Sequence, residues 1–125
     1  MNLFKYGRFT SHSGLTLPFK IDCDGLQDED LETLARVVAT RFEFSKVIGV
    51  PRGGLRFAEF LDPHIRTNGP ILIVDDVLTT GRSMQEMWLK VAKDQYDTIG
   101  IVIFARGPHP AWIKPIFYLN DLISQ

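Results

Sequence analysis

A wholly apolar run, Ile71-Leu72-Ile73-Val74, is followed directly by two acids, Asp75 and Asp76, and this junction most constrains the fold. Consecutive large apolar residues that end in carboxylates are typical of a central parallel strand covered on both faces. Parallel strands need crossover connections, and these are usually helices. The junction therefore predicts an α/β domain with a central parallel sheet flanked by helices.

The rest of the chain alternates helical and extended patterns around this strand. Apolar residues at helical spacing predict helices over residues 28–42, 54–61 and 84–92. Apolar and β-branched runs predict strands over 46–50, 70–74 and 99–105, with a short last strand over 116–119. Because strands that alternate with helices form parallel sheets through right-handed crossovers, we expect one domain across residues 1–125.

The first 25 residues do not share this pattern. They mix aromatic residues with Ser, Thr, Gly and Pro and show no sustained period. Such a composition is typical of loops and short strands. We expect residues 1–25 to form a flap over the core.

The charge balance and the cysteine usage exclude several classes of function. Fourteen Lys and Arg residues against fifteen Asp and Glu leave a net charge of -1, so no long-range field attracts nucleic acid or anionic lipid. No segment is apolar for long enough to be a signal peptide or a membrane span. The only cysteine, Cys23, cannot pair within the chain and is expected to be a small half-buried residue. These features predict a cytoplasmic protein without a membrane or nucleic-acid partner.

The turn after the acid pair has the composition of a phosphate site. Its residues are Thr79, Thr80, Gly81, Arg82 and Ser83. Hydroxyl and N–H groups at a helix start bind phosphate, and a glycine lets the backbone approach an anion closely. Asp75 and Asp76 need a donor-rich ligand, and the hydroxyls of a ribose diol could donate to them. The alternative is a strand end with ordinary turn chemistry, but two adjacent buried acids are costly without a ligand.

Two further loops are expected at the same edge of the sheet, because ligands in open α/β sheets bind outside the carboxyl ends of the strands. Arg52, Gly53 and Gly54 follow the strand over 46–50, and paired glycines with an arginine suit a pyrophosphate. A plain turn is the alternative for this loop. Arg106 follows the strand over 99–105 and is either a substrate contact or a solvent-facing arginine at a strand end.

The stretch from Ile71 to Ser83 resembles the motif with which type I phosphoribosyltransferases bind 5-phosphoribosyl 1-pyrophosphate (PRPP): four apolar residues, two acids and a Thr-x-Gly phosphate loop. The resemblance implies the fold of that family and its glycosyltransferase reaction, in which a nitrogenous base takes the 5-phosphoribosyl group and pyrophosphate leaves. It assigns the ribose hydroxyls to Asp75 and Asp76 and the 5-phosphate to residues 79–83. It assigns the pyrophosphate to the loop 52–54, which in that family often holds a non-proline cis peptide.

The same resemblance implies three catalytic residues, Asp75, Asp76 and Arg52. The acids would orient the ribose and favour its developing positive charge, and Arg52 would carry charge of the leaving pyrophosphate. Magnesium is implied as a cofactor that PRPP itself chelates near the two acids, without a cluster of protein ligands. A homodimer is implied as well.

Within the family the likeness is greatest to the orotate enzymes. Residues 9–22 are similar to the amino-terminal segment with which those enzymes touch the base, so Phe19, Lys20 and Arg106 are implied to bind the base. His12, however, stands where those enzymes carry a base-contacting lysine, and Lys20 replaces an aromatic residue. The acceptor, a pyrimidine such as orotate or another base, stays open.

The connection that precedes the central strand departs most from the orotate enzymes. They insert a strand there and a long mobile hood with catalytic lysines and a histidine, whereas this chain has only residues 60–70. His64 and Arg66 could supply part of the hood's charge, and a solvated turn is the alternative. A missing hood predicts slow transfer or hydrolysis, since a closed site excludes water. A PRPP- or nucleotide-binding regulator of the same fold is therefore the second hypothesis.

Overall fold

The computed structural model describes residues 4–10, 16–21, 23–91 and 97–118, with side chains for Cys23 and from Gly25 onward. Within these residues the chain forms six strands and three α-helices. In chain order they are β1 (Phe4–Thr10), β2 (Thr16–Ile21), α1 (Asp28–Arg41), β3 (Lys46–Gly49), α2 (Gly53–Leu61), β4 (Ile71–Leu78), α3 (Arg82–Val91), β5 (Thr98–Ala105) and β6 (Ile113–Tyr118).

The central sheet contains four parallel strands in the order β3-β4-β5-β6. The predicted α/β class with a parallel sheet is therefore confirmed. Two strands differ in extent from the prediction: β4 continues through the acid pair to Leu78, and β6 begins at Ile113 rather than at residue 116. Of the predicted third helix, Ala92 lies outside the described residues.

Helix α1 begins at the acidic run that the sequence pattern indicated. The backbone N–H of Gln27 donates to Oδ2 of Asp30 at 2.8 Å, which completes a capping box at the helix start. Three acids in the first turn suit the positive end of the helix dipole. Leu31, Ala35 and Val38 form its buried stripe. No helix in the described residues is long and apolar enough to cross a membrane.

Apolar side chains cover both faces of the sheet. On one face, Phe57 and Leu61 of α2 pack with Leu72 and Val74 of β4, in a cluster that also holds Cys23. On the other face, the side chain of Met84 in α3 packs in a second cluster. That cluster includes Ile73, Val102 and Ile113. Helices α2 and α3 therefore lie on opposite faces, and Cys23 is buried rather than half-buried, with 8% of its surface exposed.

The two crossovers around β4 have opposite hands. The chain steps in one direction across the sheet, from β3 to β4 and from β4 to β5, yet the connecting helices cover opposite faces. Two crossovers that move in the same direction across a sheet have opposite hands when their helices lie on opposite faces of that sheet. The expectation of right-handed crossovers is therefore wrong for one of the two, although right-handed connections are the strong rule.

The short connection over residues 62–70 lies at the amino-terminal edge of the sheet. The backbone N–H of Arg66 donates to the Phe44 carbonyl oxygen at 2.8 Å, and that of Ser45 donates to the Pro70 carbonyl oxygen at 3.0 Å. Ser45 Oγ also donates to the Gly69 carbonyl oxygen at 2.7 Å. The segment is thus tied to the residues that precede β3. His64 and Arg66 lie at the edge opposite to the acid pair, so the solvated turn is the correct alternative for them.

The amino-terminal strands β1 and β2 pair as an antiparallel hairpin with its own two-stranded sheet. A register shift between Tyr6 and Phe9 has the form of a β-bulge. Because of that shift, six apolar residues fall at register positions of one face: Phe4, Tyr6, Phe9, Leu17, Phe19 and Ile21. The predicted short strands in residues 1–25 are confirmed. His12 and the turn between the strands lie outside the described residues.

Candidate functional site

Asp75 and Asp76 lie inside β4, where they interrupt its regular pairing. The backbone N–H of Asp76 donates to Oδ1 of Asp75 at 2.8 Å, and that of Val77 donates to Oδ1 of Asp76 at 2.7 Å. Side chains that bond to the neighbouring backbone in this way compete with the sheet ladder. The alternation of faces shifts here: Val77 packs in the cluster of Val74, although the two residues are an odd number of positions apart, three, and would lie on opposite faces of a regular strand. The acids thus lie in an irregular part of β4, near its carboxyl end.

The turn after β4 forms an open cavity with Asp75. Its lining consists of Asp75, Val77 and Leu78 together with residues 79–84. Gly81 has a φ of +81°, a conformation that favours glycine, and Gln85 N–H donates to its carbonyl oxygen at 2.9 Å as α3 begins. The first N–H groups of a helix have no partner within it, and the first three residues of α3, Arg82, Ser83 and Met84, line this cavity. The structure brings all five predicted phosphate residues together with Asp75.

Asp76 contacts the other predicted anion loop. A β-carbon placed on Gly53 would overlap the Asp76 carboxylate, and one placed on Gly54 would overlap the Val74 carbonyl oxygen. Two glycines are therefore needed for the close approach of this loop to β4. The peptide bond between Pro51 and Arg52 is cis, as the family resemblance implied. Arg52 is exposed at the amino terminus of α2.

Arg106 leaves β5 at the same edge of the sheet. Its backbone N–H donates to the Leu78 carbonyl oxygen at 3.0 Å, one residue before the phosphate turn. Only 8% of the residue is exposed, so the solvent-facing alternative is wrong. Burial lowers the pKa of its guanidinium group. A buried guanidinium suits an anionic or strongly polar partner.

Asp75 and Asp76 are adjacent in the chain, and both are half-buried. Burial, the hydrogen bond to the Asp76 carboxyl group and the Asp76 charge, in that order, raise the pKa of Asp75 to about 8. In the absence of a ligand, Asp75 therefore keeps its proton to a higher pH than an ordinary aspartate does. Hydroxyl groups that donate to both carboxylates would favour the ionised form of Asp75.

This raised pKa has a consequence for stability. The unfolded chain releases the Asp75 proton near the ordinary pKa of 3.8, whereas the folded protein keeps it until about pH 8. The free energy of unfolding should therefore fall as the pH rises from about 4 to 8, and level off above. Each unit of raised pKa corresponds to about 1.4 kcal/mol, so the total is on the order of a few kcal/mol.

We expect Asp75→Asn to be more stable than the wild type at pH 8. We also expect its free energy of unfolding to change less between pH 5 and 8 than that of the wild type. Urea unfolding at several pH values measures both slopes. Asp97→Asn is the matched control, because Asp97 is exposed before β5 at the opposite edge. Parallel pH slopes for wild type and Asp75→Asn would contradict the raised pKa.

The predicted base-binding residues are only partly described. Phe19 and Lys20 are consecutive residues of β2. Their side chains lie outside the described set. Of the three predicted base-binding residues, only Arg106 has a described side chain, and its backbone lies at the same edge of the sheet as Asp75 and Asp76.

Two aromatic residues lie at this edge, at the end of β6. Phe117 stacks on Phe104 with ring centroids 5.2 Å apart, and Tyr118 meets His109 edge-on at 5.6 Å. About half of each side chain at the end of β6 remains exposed, 48% for Phe117 and 49% for Tyr118. Trp112, in contrast, packs against Trp88 at 5.9 Å.

The comparisons with known proteins agree with this geometry. No protein-family profile matches the chain. The orotate phosphoribosyltransferase of Pyrobaculum islandicum is 28% identical over 114 residues, and the match covers 67% of this chain and 58% of that relative. The crystal structure of orotate phosphoribosyltransferase from Aeropyrum pernix has a TM-score of 0.73 at 21% identity, with 94% of this chain and 89% of that chain covered. The chain has the type I phosphoribosyltransferase fold.

Another phosphoribosyltransferase supports the same assignment. The Helicobacter pylori xanthine-guanine-hypoxanthine phosphoribosyltransferase has a TM-score of 0.51 at 22% identity, with 74% of this chain and 80% of that chain covered. The resemblance predicted from residues 71–83 is thus confirmed, with curated and structural neighbours among the orotate phosphoribosyltransferases. The chain spans 58% of the length of the curated relative that it matches.

Proposed function

We propose that this chain is a phosphoribosyltransferase that moves the 5-phosphoribosyl group from PRPP to a nitrogenous base and releases pyrophosphate. The observation that carries the proposal is the position of the acid pair between two anion loops. Asp75 lines the cavity of the phosphate turn, and Asp76 packs against Gly53 of the Arg52 loop. A ligand with a diol between two phosphate groups matches this order of groups, and PRPP has that chemistry.

In this proposal, different groups of residues bind different parts of PRPP. The N–H and hydroxyl groups of residues 79–83 hold the 5-phosphate. Asp75 and Asp76 accept hydrogen bonds from the ribose hydroxyls and orient the ring, while their negative charge favours the positive charge that develops at the anomeric carbon. Arg52 and the amides of the following glycines receive the charge of the leaving pyrophosphate. Asp75, Asp76 and Arg52 are thus the proposed catalytic residues.

Magnesium enters this proposal as part of the substrate. Mg²⁺ prefers oxygen ligands and commonly binds substrate phosphates with one or two carboxylates nearby. The donor set of Asp75 and Asp76 fits a cation that PRPP chelates. The ion supplies charge neutralisation for the pyrophosphate when it is bound.

The acceptor in this proposal is a base with an acidic or strongly polar group, such as orotate. The buried Arg106 beside the phosphate turn supports this choice, since a guanidinium pairs bidentately with a carboxylate. We propose that the hairpin residues Phe19 and Lys20 contribute to the same base site. The exposed aromatic rings of Phe117 and Tyr118 offer further apolar surface at this edge.

A PRPP- or nucleotide-binding regulator is the second candidate. It is favoured by the connection over residues 62–70, which lies at the opposite edge of the sheet and brings no charge to the site. A regulator would bind PRPP tightly and leave it intact. The enzyme would release pyrophosphate when a base is added.

One experiment separates these candidates. Mg²⁺ and PRPP are titrated into the protein by calorimetry, and pyrophosphate release is then followed with orotate, uracil, adenine, guanine, hypoxanthine and xanthine in turn. We expect saturable binding of PRPP and release of pyrophosphate with at least one base. Binding without release for every base would favour the regulator, and a lack of binding would refute both.

Assembly and location complete the proposal. We propose a homodimer, for which the exposed apolar side chains of Val37 on α1 and Leu55 on α2 offer contact surface. Light scattering on the purified protein measures the oligomeric state. The lone cysteine of the chain supports a reducing compartment, and we propose the cytoplasm.

A further inference from the structure

The connection between α2 and β4 determines how exposed the reacting carbon is. Helix α2 begins at the pyrophosphate loop and ends at Leu61, on the opposite edge of the sheet, and residues 62–70 stay there. The four steps of β4 from Ile71 to Asp75 span about 13 Å at the usual rise of a strand. Neither His64 nor Arg66 can therefore cover a ligand held by the acid pair.

Among the residues whose side chains the structure describes, the groups at the carboxyl edge of the sheet leave a bound ligand open to solvent. Arg52 and Gly53 on the pyrophosphate side are exposed, as are Thr80 and Ser83 on the phosphate side. The anomeric carbon of PRPP would lie between these two loops, beside the acid pair. When no base is bound, water fills the base position next to that carbon.

We propose that water is itself an acceptor, so that this protein hydrolyses PRPP in the absence of a base. The inference rests on the proposed function, because it uses the same PRPP site. The bond between the anomeric carbon and the pyrophosphate oxygen breaks, and pyrophosphate leaves with the electron pair. A water oxygen forms the new bond to the anomeric carbon and loses one proton to bulk solvent. The products are ribose 5-phosphate and pyrophosphate, and no oxidant or reductant is needed.

The physical reason is the competition between acceptors. Enzymes that close over a reactive centre exclude water and so prevent hydrolysis of reactive species. The acid pair still stabilises positive charge at the anomeric carbon, and Arg52 still receives the pyrophosphate, so the bond to be broken is activated. With the centre open, the acceptor present at the highest concentration is water.

The test uses the full chain with Mg²⁺ and PRPP and no base, followed by phosphorus NMR. We expect ribose 5-phosphate and pyrophosphate to form in equal amounts, at least tenfold faster than in buffer alone. In 10% methanol we expect a methyl riboside 5-phosphate in addition, because an open centre admits either acceptor. His64→Ala and Arg66→Ala should leave the rate unchanged, and Asp75→Asn/Asp76→Asn, purified identically, should reduce it at least tenfold.

Each other outcome has a definite meaning. PRPP that binds by calorimetry but survives without a base, and yields pyrophosphate only with a base, overturns the hydrolysis and leaves the transferase proposal intact. A rate that is the same in the double acid variant identifies a contaminating phosphatase and also overturns the inference. Failure to bind PRPP at all refutes the proposed function, on which the inference depends.

Discussion

Asp75→Asn/Asp76→Asn is expected to lose at least a hundredfold in affinity for PRPP while its fold is retained. Each carboxylate accepts a charge-assisted hydrogen bond from a ribose hydroxyl in the proposed complex, and such a bond contributes about 1.5–3 kcal/mol. Two of them amount to roughly 3–6 kcal/mol, which corresponds to about 10² to 10⁴ in the dissociation constant. Calorimetric titration of PRPP with Mg²⁺ measures the change directly.

The fold should survive this substitution, because the amide groups keep the shape of the carboxyl groups and their oxygens can still accept the Asp76 and Val77 N–H groups. Loss of the Asp75 charge also removes the cost of ionising a buried acid at high pH. Circular dichroism and urea unfolding check that expectation, with Asp97→Asn as a control for the loss of an exposed acid at the opposite edge. An unchanged dissociation constant in a folded double variant would show that the acids do not hold the ligand.

The sheet and the acid pair were readable from the sequence because both depend on local patterns. Four apolar residues in Ile71–Val74 can only be covered from both faces, and the structure buries all of them. The phosphate turn was readable for a similar reason, since Gly81 is needed where φ is positive. Such features depend on residues that are adjacent in the chain, so they can be predicted from periodicity and residue type.

The remaining features depend on contacts between distant segments. Nothing in the spacing of residues 46–54 shows that Gly53 packs against Asp76, because that contact follows from how the loop after β3 meets β4. The hand of the crossovers depends on which face each helix covers, and the shift of alternation after Asp76 depends on side-chain to backbone bonds. Sequence alone also left the position of His64 open, since only the contacts of residues 65–70 assign it to an edge.

Gly53→Ala and Gly54→Ala are expected to have different effects, although the residues are adjacent. The first should lose function, and the second should lose stability. A methyl group on Gly53 would overlap the Asp76 carboxylate, which is the movable end of a half-buried side chain. The variant should therefore fold and lose function, by about a hundredfold or more, since a displacement of about 1 Å in a reacting site costs that much. Pyrophosphate release with the best acceptor base measures the loss.

A methyl group on Gly54 would instead overlap the Val74 carbonyl oxygen, in the buried centre of β4. Backbone in a packed sheet cannot move aside, so this variant should lose about 1–3 kcal/mol in the free energy of unfolding, the usual cost of overpacking. Urea unfolding of both variants separates the two effects. If Gly53→Ala keeps full activity, Asp76 does not need its place against the pyrophosphate loop, and the proposed link between the two anion loops through the acid pair is wrong.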